Sequence, residues 1–212
     1  MNSRPAKAPL IPAHPKIQVL DDQVVWDGRF PLQRVQFSFT RFDGAESGAL
    51  TWELWRRGRG VAVLPYDPVR DCVALIQQFR LPALAAGLDP VMTECPAGLL
   101  EIGEDPLEAA RRETEEETGL KPDRFEKIGR FMLMQSGCDE VLHMFGARVT
   151  LPPPGEAGTY GLASEHEDIK VLVMPAEQAF AMLDADQVEN VSAALCLYWL
   201  RTHRARLRRE WV

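Results

Sequence analysis

The segment Asp105–Gly119, DPLEAARRETEEETG, does most to limit what this chain can fold into. Asp105 supplies an N-cap, Pro106 stands at N1 and Glu108 at N3, the arrangement of a capping box. Gly119 marks C′ and ends the helix. Leu107, Ala110 and Thr114 make one apolar or small face, so this helix must pack on something. Its last turns carry Glu113, Glu115, Glu116 and Glu117. That is the end where the macrodipole disfavours negative charge, by about 0.3–1 kcal/mol per group. Glu113 and Glu117 are also like-charged i,i+4 neighbours, which costs roughly another 0.2–0.5 kcal/mol. One reading is a solvated acidic face, offset in part by Arg111, Arg112 and an Arg112/Glu116 pair. The other is that Glu113 and Glu117, one turn apart, aim carboxylates at a hard divalent cation, most simply Mg²⁺.

The rest of the chain supplies a mostly β setting. From Lys16 to Arg57, Val35, Phe37 and Phe39 alternate with polar neighbours, as do Leu50, Trp52 and Leu54, with turn chemistry at Asp27-Gly28 and Asp43-Gly44. Gly60–Tyr66 and Asp71–Phe79 read as a buried hairpin joined at Asp67-Pro68. Further strands are expected around Arg124–Met134, Val141–Val149 and Ile169–Met174, and helices around Ala176–Asp184 and Val188–Arg208. Residues 150–164, TLPPPGEAGTYGLAS, read as a mobile loop by composition. The expected organisation is a disordered lead at 1–15, a small N-terminal β-subdomain at 16–57 and a catalytic domain at 58–212.

With 24 basic against 31 acidic residues the chain is a poor nucleic-acid binder. No apolar run approaches the roughly 18 residues of a membrane span, and the Pro-rich start lacks the apolar core of a secretory signal. Cys72, Cys95, Cys138 and Cys196 show no C-x-x-C spacing, which fits reduced thiols in a cytoplasm. Cys72 and Cys196 read as core thiols, whereas Cys138 stands in a loop where a thiol can be exposed. His143 and His166 read as packing and surface residues. Arg201, Arg204, Arg206, Arg208 and Arg209 read as a solvated basic helix end.

Gly98–Leu120, GLLEIGEDPLEAARRETEEETGL, resembles the Nudix box, G-x5-E-x7-R-E-U-x-E-E-x-G-U. Gly98, Glu104, Arg112, Glu113, Glu116, Glu117, Gly119 and Leu120 fall in register, and Thr114 in the first aliphatic slot is the one departure. Leu64–Arg80, the ECPAG before the box and Gly161–Ala179 resemble the bacterial ADP-ribose pyrophosphatase branch. The resemblance implies an α+β fold, a Nudix-type α/β/α sandwich with a small N-terminal β-subdomain. It implies a metal site built from the backbone carbonyl of Ala97 with Glu113 and Glu117, completed by Glu167 in SEHEDI as catalytic base in preference to Glu165. Glu116 then assists a further ion, and Arg80 meets the substrate phosphates. The cofactor implied is Mg²⁺, with Mn²⁺ as an alternative.

Substrate contacts are expected from Arg80, Glu140, Glu53, Trp52 and Gln135. Two of these depart from the branch. Gln135 stands in MQSG where the branch carries a proline associated with ADP-ribose preference, and Trp52 stands beside Glu53 where the branch has an arginine just upstream. The expected reaction is hydrolysis of ADP-ribose to AMP and ribose 5-phosphate. The rivals are another sugar nucleotide such as GDP-mannose, and a non-catalytic ADP-ribose-binding module. Trp26, Phe30, Phe37, Phe39, Trp52 and Trp55 are more aromatics than a small appendage buries alone. A homodimer is therefore expected, and in the resembled branch its N-terminal strands exchange across a two-fold axis.

Overall fold

A computed structural model describes residues 10–162, 164 and 166–212. Residues 1–9 of the expected disordered lead, and Glu165, lie outside the described residues. The chain divides into two compact units, one reaching to Gly58 and including Met132–Val141, the other Arg59–Phe131 with Leu142–Val212.

The first unit holds a three-stranded antiparallel sheet of β1 (Ile17–Trp26), β2 (Leu32–Phe39) and β3 (Leu50–Trp55), in that order. Asp27-Gly28 falls in the first connection and Asp43-Gly44 in the second, where Gly44 takes φ 85°. Residues 132–141 join this unit through backbone bonds and one carboxylate. Trp55 N–H donates to Gly137 O at 2.8 Å, and Asp139 N–H donates to Trp55 O at 3.2 Å. Asp139 accepts from the backbone N–H groups of Arg57 and Gly58 at 2.7 and 3.0 Å and pairs with Arg56 Nε at 2.7 Å. Cys138, in a loop where a thiol can be exposed, is instead held inside this junction at 3% exposure.

The second unit is built on β4 (Arg59–Asp67), β5 (Cys72–Phe79), β6 (Val91–Glu94), β7 (Ala97–Leu99), β8 (Arg124–Met132), β9 (Val141–Arg148), β10 (Gly155–Tyr160) and β11 (Ile169–Pro175). The sheet order is β10-β11-β5-β4-β9-β8, with β6 on β5 and β7 on β4. Helix α1 (Leu81–Ala85) follows β5, and α2 (Pro106–Thr118) packs its Ala109 and Ala110 on Val61, Val63, Phe145 and Ala147. Helices α3 (Ala176–Asp184) and α4 (Val191–Glu210) cover the other face, where Phe180, Leu183, Leu197 and Leu200 meet Ala62, Leu64 and Tyr66. This is an α+β fold, a sheet sandwiched between helices. The run Gly60–Tyr66 is apolar without alternation because β4 is buried on both faces. Among the described residues no helix is long and apolar enough to cross a membrane.

Three expectations change. Residues 150–164 contain the edge strand β10, antiparallel to β11, with a bulge between Glu156 and Thr159. Its glycines Gly155 and Gly158, at φ 135° and 112°, disguise it as loop sequence. The arginines of α4 are not merely solvated: Arg204 pairs with Asp71 in the β4–β5 turn and with Glu177, while Arg206 pairs with Glu126. The α2 cap is present, with Asp105 accepting from Leu107 N–H at 2.8 Å. Among the described residues the reciprocal Glu108 contact of a capping box is not made.

Candidate active site

Helix α2 ends as its sequence dictates, with Gly119 left-handed at φ 67° and its N–H bonded to Glu115 O. Thr114, in the slot where an aliphatic residue was expected, is fully buried and turns its hydroxyl onto Ala110 O at 2.7 Å. That back-bond satisfies the polar atom inside the core. On the same helix Glu113 and Glu117 are buried, at 9% and 3% exposure. The solvated-face reading fails for these two residues.

Burial sets their electrostatics. Desolvation pushes the Glu117 carboxyl up to about 9; the charges of Glu113 and Glu167 add to it, while the Ala97 N–H and Arg80 oppose it. Desolvation likewise raises Glu113 to about 7 against the pull of Arg112, with Glu116 and Glu167 pushing the same way as burial. Arg112 is the local counter-charge. It bonds Glu104 through Nε and Nη2, both at 3.0 Å, and reaches Glu113 and Glu116 through Nη1 at 2.8 and 3.1 Å. Glu117 accepts from the Ala97 N–H at 2.8 Å, which ties the helix to β7.

The donor set suits a divalent cation. Several carboxylates gather at a helix C-terminus, where positive charge is favoured and carboxylate oxygens match a hard ion. Gly98 belongs to the same cradle, because a Cβ there would lie 2.0 Å from the Glu113 carboxyl carbon. Among the described residues no trio of acidic, histidine or cysteine side chains is already gathered around one point. Arg112 draws Glu113 and Glu116 to itself, and the Ala97 N–H holds Glu117.

Glu167 stands in the loop before β11. Its carboxylate accepts from Leu162 N–H at 3.1 Å, and its charge reaches Glu113, Glu117 and Arg80. Arg80, at the end of β5, makes a two-pronged ion pair with Glu94, Nε to Oε1 at 2.9 Å and Nη2 to Oε2 at 2.7 Å. The structure thus brings Glu113, Glu116, Glu117, Glu167, Ala97 and Arg80 into one neighbourhood of the second unit.

The other expected residues lie in the first unit. Trp52 and Glu53 line a cavity of about 770 Å³ with Trp26, Arg34, Trp55 and Ser136. Arg34 and Glu53 are direct cross-strand neighbours. Trp52 is 55% exposed and Trp26 67% exposed, so neither is a core aromatic. Gln135 lies exposed in the turn between Met134 and Ser136, and Glu140 pairs with Arg57 Nε at 3.1 Å. Arg34 and Glu94 were not expected from the sequence. A glutamate inside the apolar stretch VMTECPAG was the available signal for Glu94, since a buried charge needs a partner.

Residues 56–195 match the NUDIX domain. The chain is 35% identical over 198 residues to the ADP-ribose pyrophosphatase of Haemophilus influenzae, covering 92% of this chain and 90% of that protein. It is 32% identical to the ADP-ribose pyrophosphatase of Escherichia coli K12, with 99% of each chain covered. It is 31% identical to the GDP-mannose pyrophosphatase of Enterobacter sp. strain 638, covering 88% of this chain and 95% of that one. A solved structure described as an ADP compounds hydrolase superposes with a TM-score of 0.63 at 21% identity, over 91% of this chain and 98% of the other.

Proposed function

The chain belongs to the Nudix family, and on that premise we propose a pyrophosphohydrolase that splits the diphosphate linkage of a nucleoside diphosphate sugar, ADP-ribose first, giving AMP and ribose 5-phosphate. The observation that carries this reading is the burial of Glu113 and Glu117 side by side, with both carboxyls driven well above their ordinary range. Burying two like charges at a helix C-terminus costs stability, and a divalent cation is the partner that offsets it. A module that only bound ADP-ribose would have no need of such a helix end.

Members of the family generally use a divalent metal, and Mg²⁺ is proposed here, held by Glu113, Glu117 and the Ala97 carbonyl, with Glu116 assisting. Bound there, it would neutralise charge on the phosphate oxygens and lower the pKa of a nearby water. The protein's own groups do the rest. Arg80 donates to a phosphate from the side of its guanidinium that Glu94 leaves free. Glu167 accepts the proton of the attacking water, a contribution typically of about 10²–10⁴ in rate. The Ala97 N–H and Arg112 fix the carboxylates. Trp52, Glu53, Gln135 and Glu140 are proposed as substrate contacts in the first unit.

A homodimer is proposed on the apolar side chains that β1 leaves exposed, among them Ile17, Val19, Val24, Val25 and Trp26. The four cysteines are buried and unpaired, which supports a reducing, cytoplasmic setting. The test is incubation with Mg²⁺, or with excess chelator, and a panel of diphosphate compounds, with products identified. ADP-ribose should give AMP only with the metal. Turnover of GDP-mannose far above ADP-ribose would overturn the substrate and leave the reaction class standing.

A further inference from the structure

Glu94 takes no part in the proposed reaction, yet among the described residues it is one of the most buried charged groups, at 4% exposure. It sits on β6 directly opposite Ile76 of β5, on the sheet face that also carries Gln78, and Arg80 follows immediately after β5. Both of its oxygens go to Arg80, at 2.9 and 2.7 Å. An ion pair with one partner buried is a weak source of stability, since an apolar pair of similar volume often serves as well. Its use is in fixing an orientation.

The backbone of Arg80 is fixed as well: its N–H donates to Pro90 O at 2.7 Å, and its carbonyl accepts from Ala83 N–H at 3.0 Å. With Nε and Nη2 committed to Glu94, the guanidinium presents its Nη1 side, and the arginine side chain stays 40% exposed while that of Glu94 is 5% exposed. The charges of Glu117 and Glu167 also act on it. Without Glu94, that long cationic side chain would be free to turn toward those carboxylates.

We propose that Glu94 is a positioning residue, which grips Arg80 so that its free Nη1 side faces the substrate diphosphate and turns away from Glu117 and Glu167. This rests on the reading of Arg80 as a phosphate contact. A double-mutant cycle tests it, with kcat and KM for ADP-ribose measured at saturating Mg²⁺ for wild type, Glu94→Gln, Arg80→Ala and the double variant. Glu94→Gln should lower kcat/KM by at least about tenfold when Arg80 is present and by less than about twofold when it is absent. Equal factors in the two backgrounds, or no loss in the first, would make Glu94 merely structural and overturn the proposal. Should Glu94→Gln fail to fold, Arg80→Lys decides. It keeps the charge and loses the fork, so its activity should fall nearly to that of Arg80→Ala, and near-wild-type activity would overturn the proposal. Unchanged turnover in Arg80→Ala would remove the phosphate role from Arg80 and the positioning role with it. A wild-type enzyme inert toward every diphosphate tried would defeat the functional reading, a result distinct from any pattern within the cycle, and the proposal would fall with it.

Discussion

Replacing Glu117 by glutamine should stabilise the metal-free protein while destroying its activity. The glutamine oxygen can still accept from the Ala97 N–H, so the 2.8 Å bond to β7 is kept. What disappears is the cost of a carboxyl whose pKa rises from 4.5 to about 9 on folding. Between those values the folded chain binds more protons than the unfolded one. Wild-type stability therefore falls as pH rises through that window, by up to about 1.4 kcal/mol per pH unit, and below it the penalty vanishes. At pH 7 the accumulated penalty is about 3 kcal/mol, and the titration of neighbouring Glu113 brings the expected gain of the variant to about 2–3 kcal/mol. For a chain of this size that is roughly 4–12 °C in melting temperature.

The assay is thermal melting of both proteins in chelator at pH 5, 7 and 9. The variant should melt higher at pH 7, with the difference closing toward pH 5 and widening toward pH 9. Added Mg²⁺ should stabilise wild type by about 2.7 kcal/mol at a hundredfold excess over its Kd, and the variant far less, which narrows or reverses the order. A variant that melts lower than wild type at high pH without metal, or a difference that does not widen with pH, would refute the reasoning.

Three further outcomes are expected. Gly98→Ala should cost most of the activity, because its Cβ would fall 2.0 Å from the Glu113 carboxyl carbon; kcat within about twofold of wild type would show that the cradle tolerates the shift. Glu167→Gln should lower kcat by about 10²–10⁴ while the melting temperature barely moves, since the side chain is only partly buried; an unchanged kcat would return Glu167 to the status of a loop acid. Light scattering at micromolar concentration should report a dimer, and deletion of residues 1–57 should abolish activity; a fully active monomer would sink the assembly.

Where local chemistry decides, the sequence was readable. Asp105, Pro106 and Gly119 mark the ends of α2 because capping is a short-range matter, and the spacing of Glu113, Glu116 and Glu117 is fixed by the helix itself. What was not readable depends on which strands become neighbours. The segment 132–141 joins the N-terminal strands through Asp139, more than 80 residues from the Arg57 and Gly58 amides it accepts from. Strand β10 reads as a loop because an edge strand with two left-handed glycines has a loop's composition. Arg34 faces Glu53 only once the register of β2 and β3 is set. The burial of Glu113 and Glu117 is likewise tertiary. The sequence showed that the cluster was unfavourable, and only the packing of α2 shows by how much.

The same device occurs twice around these carboxylates, once in a form the sequence displays and once in a form it hides. Arg112 is gripped by Glu104 through Nε and Nη2, which leaves Nη1 to touch Glu113 and Glu116. Arg80 is gripped by Glu94 through the same two nitrogens, with Glu117 and Glu167 beside it. An arginine free to swing would pair fully with the nearest acid, and a fully paired acid is a poor ligand for a cation. Giving each arginine its own carboxylate partner limits how far it can neutralise the others. The first pair spans one loop and one helix, so it is written into a short motif. The second joins β6 to the residue just after β5, a pairing no local pattern announces, so the acid that disciplines Arg80 becomes visible only in the folded sheet.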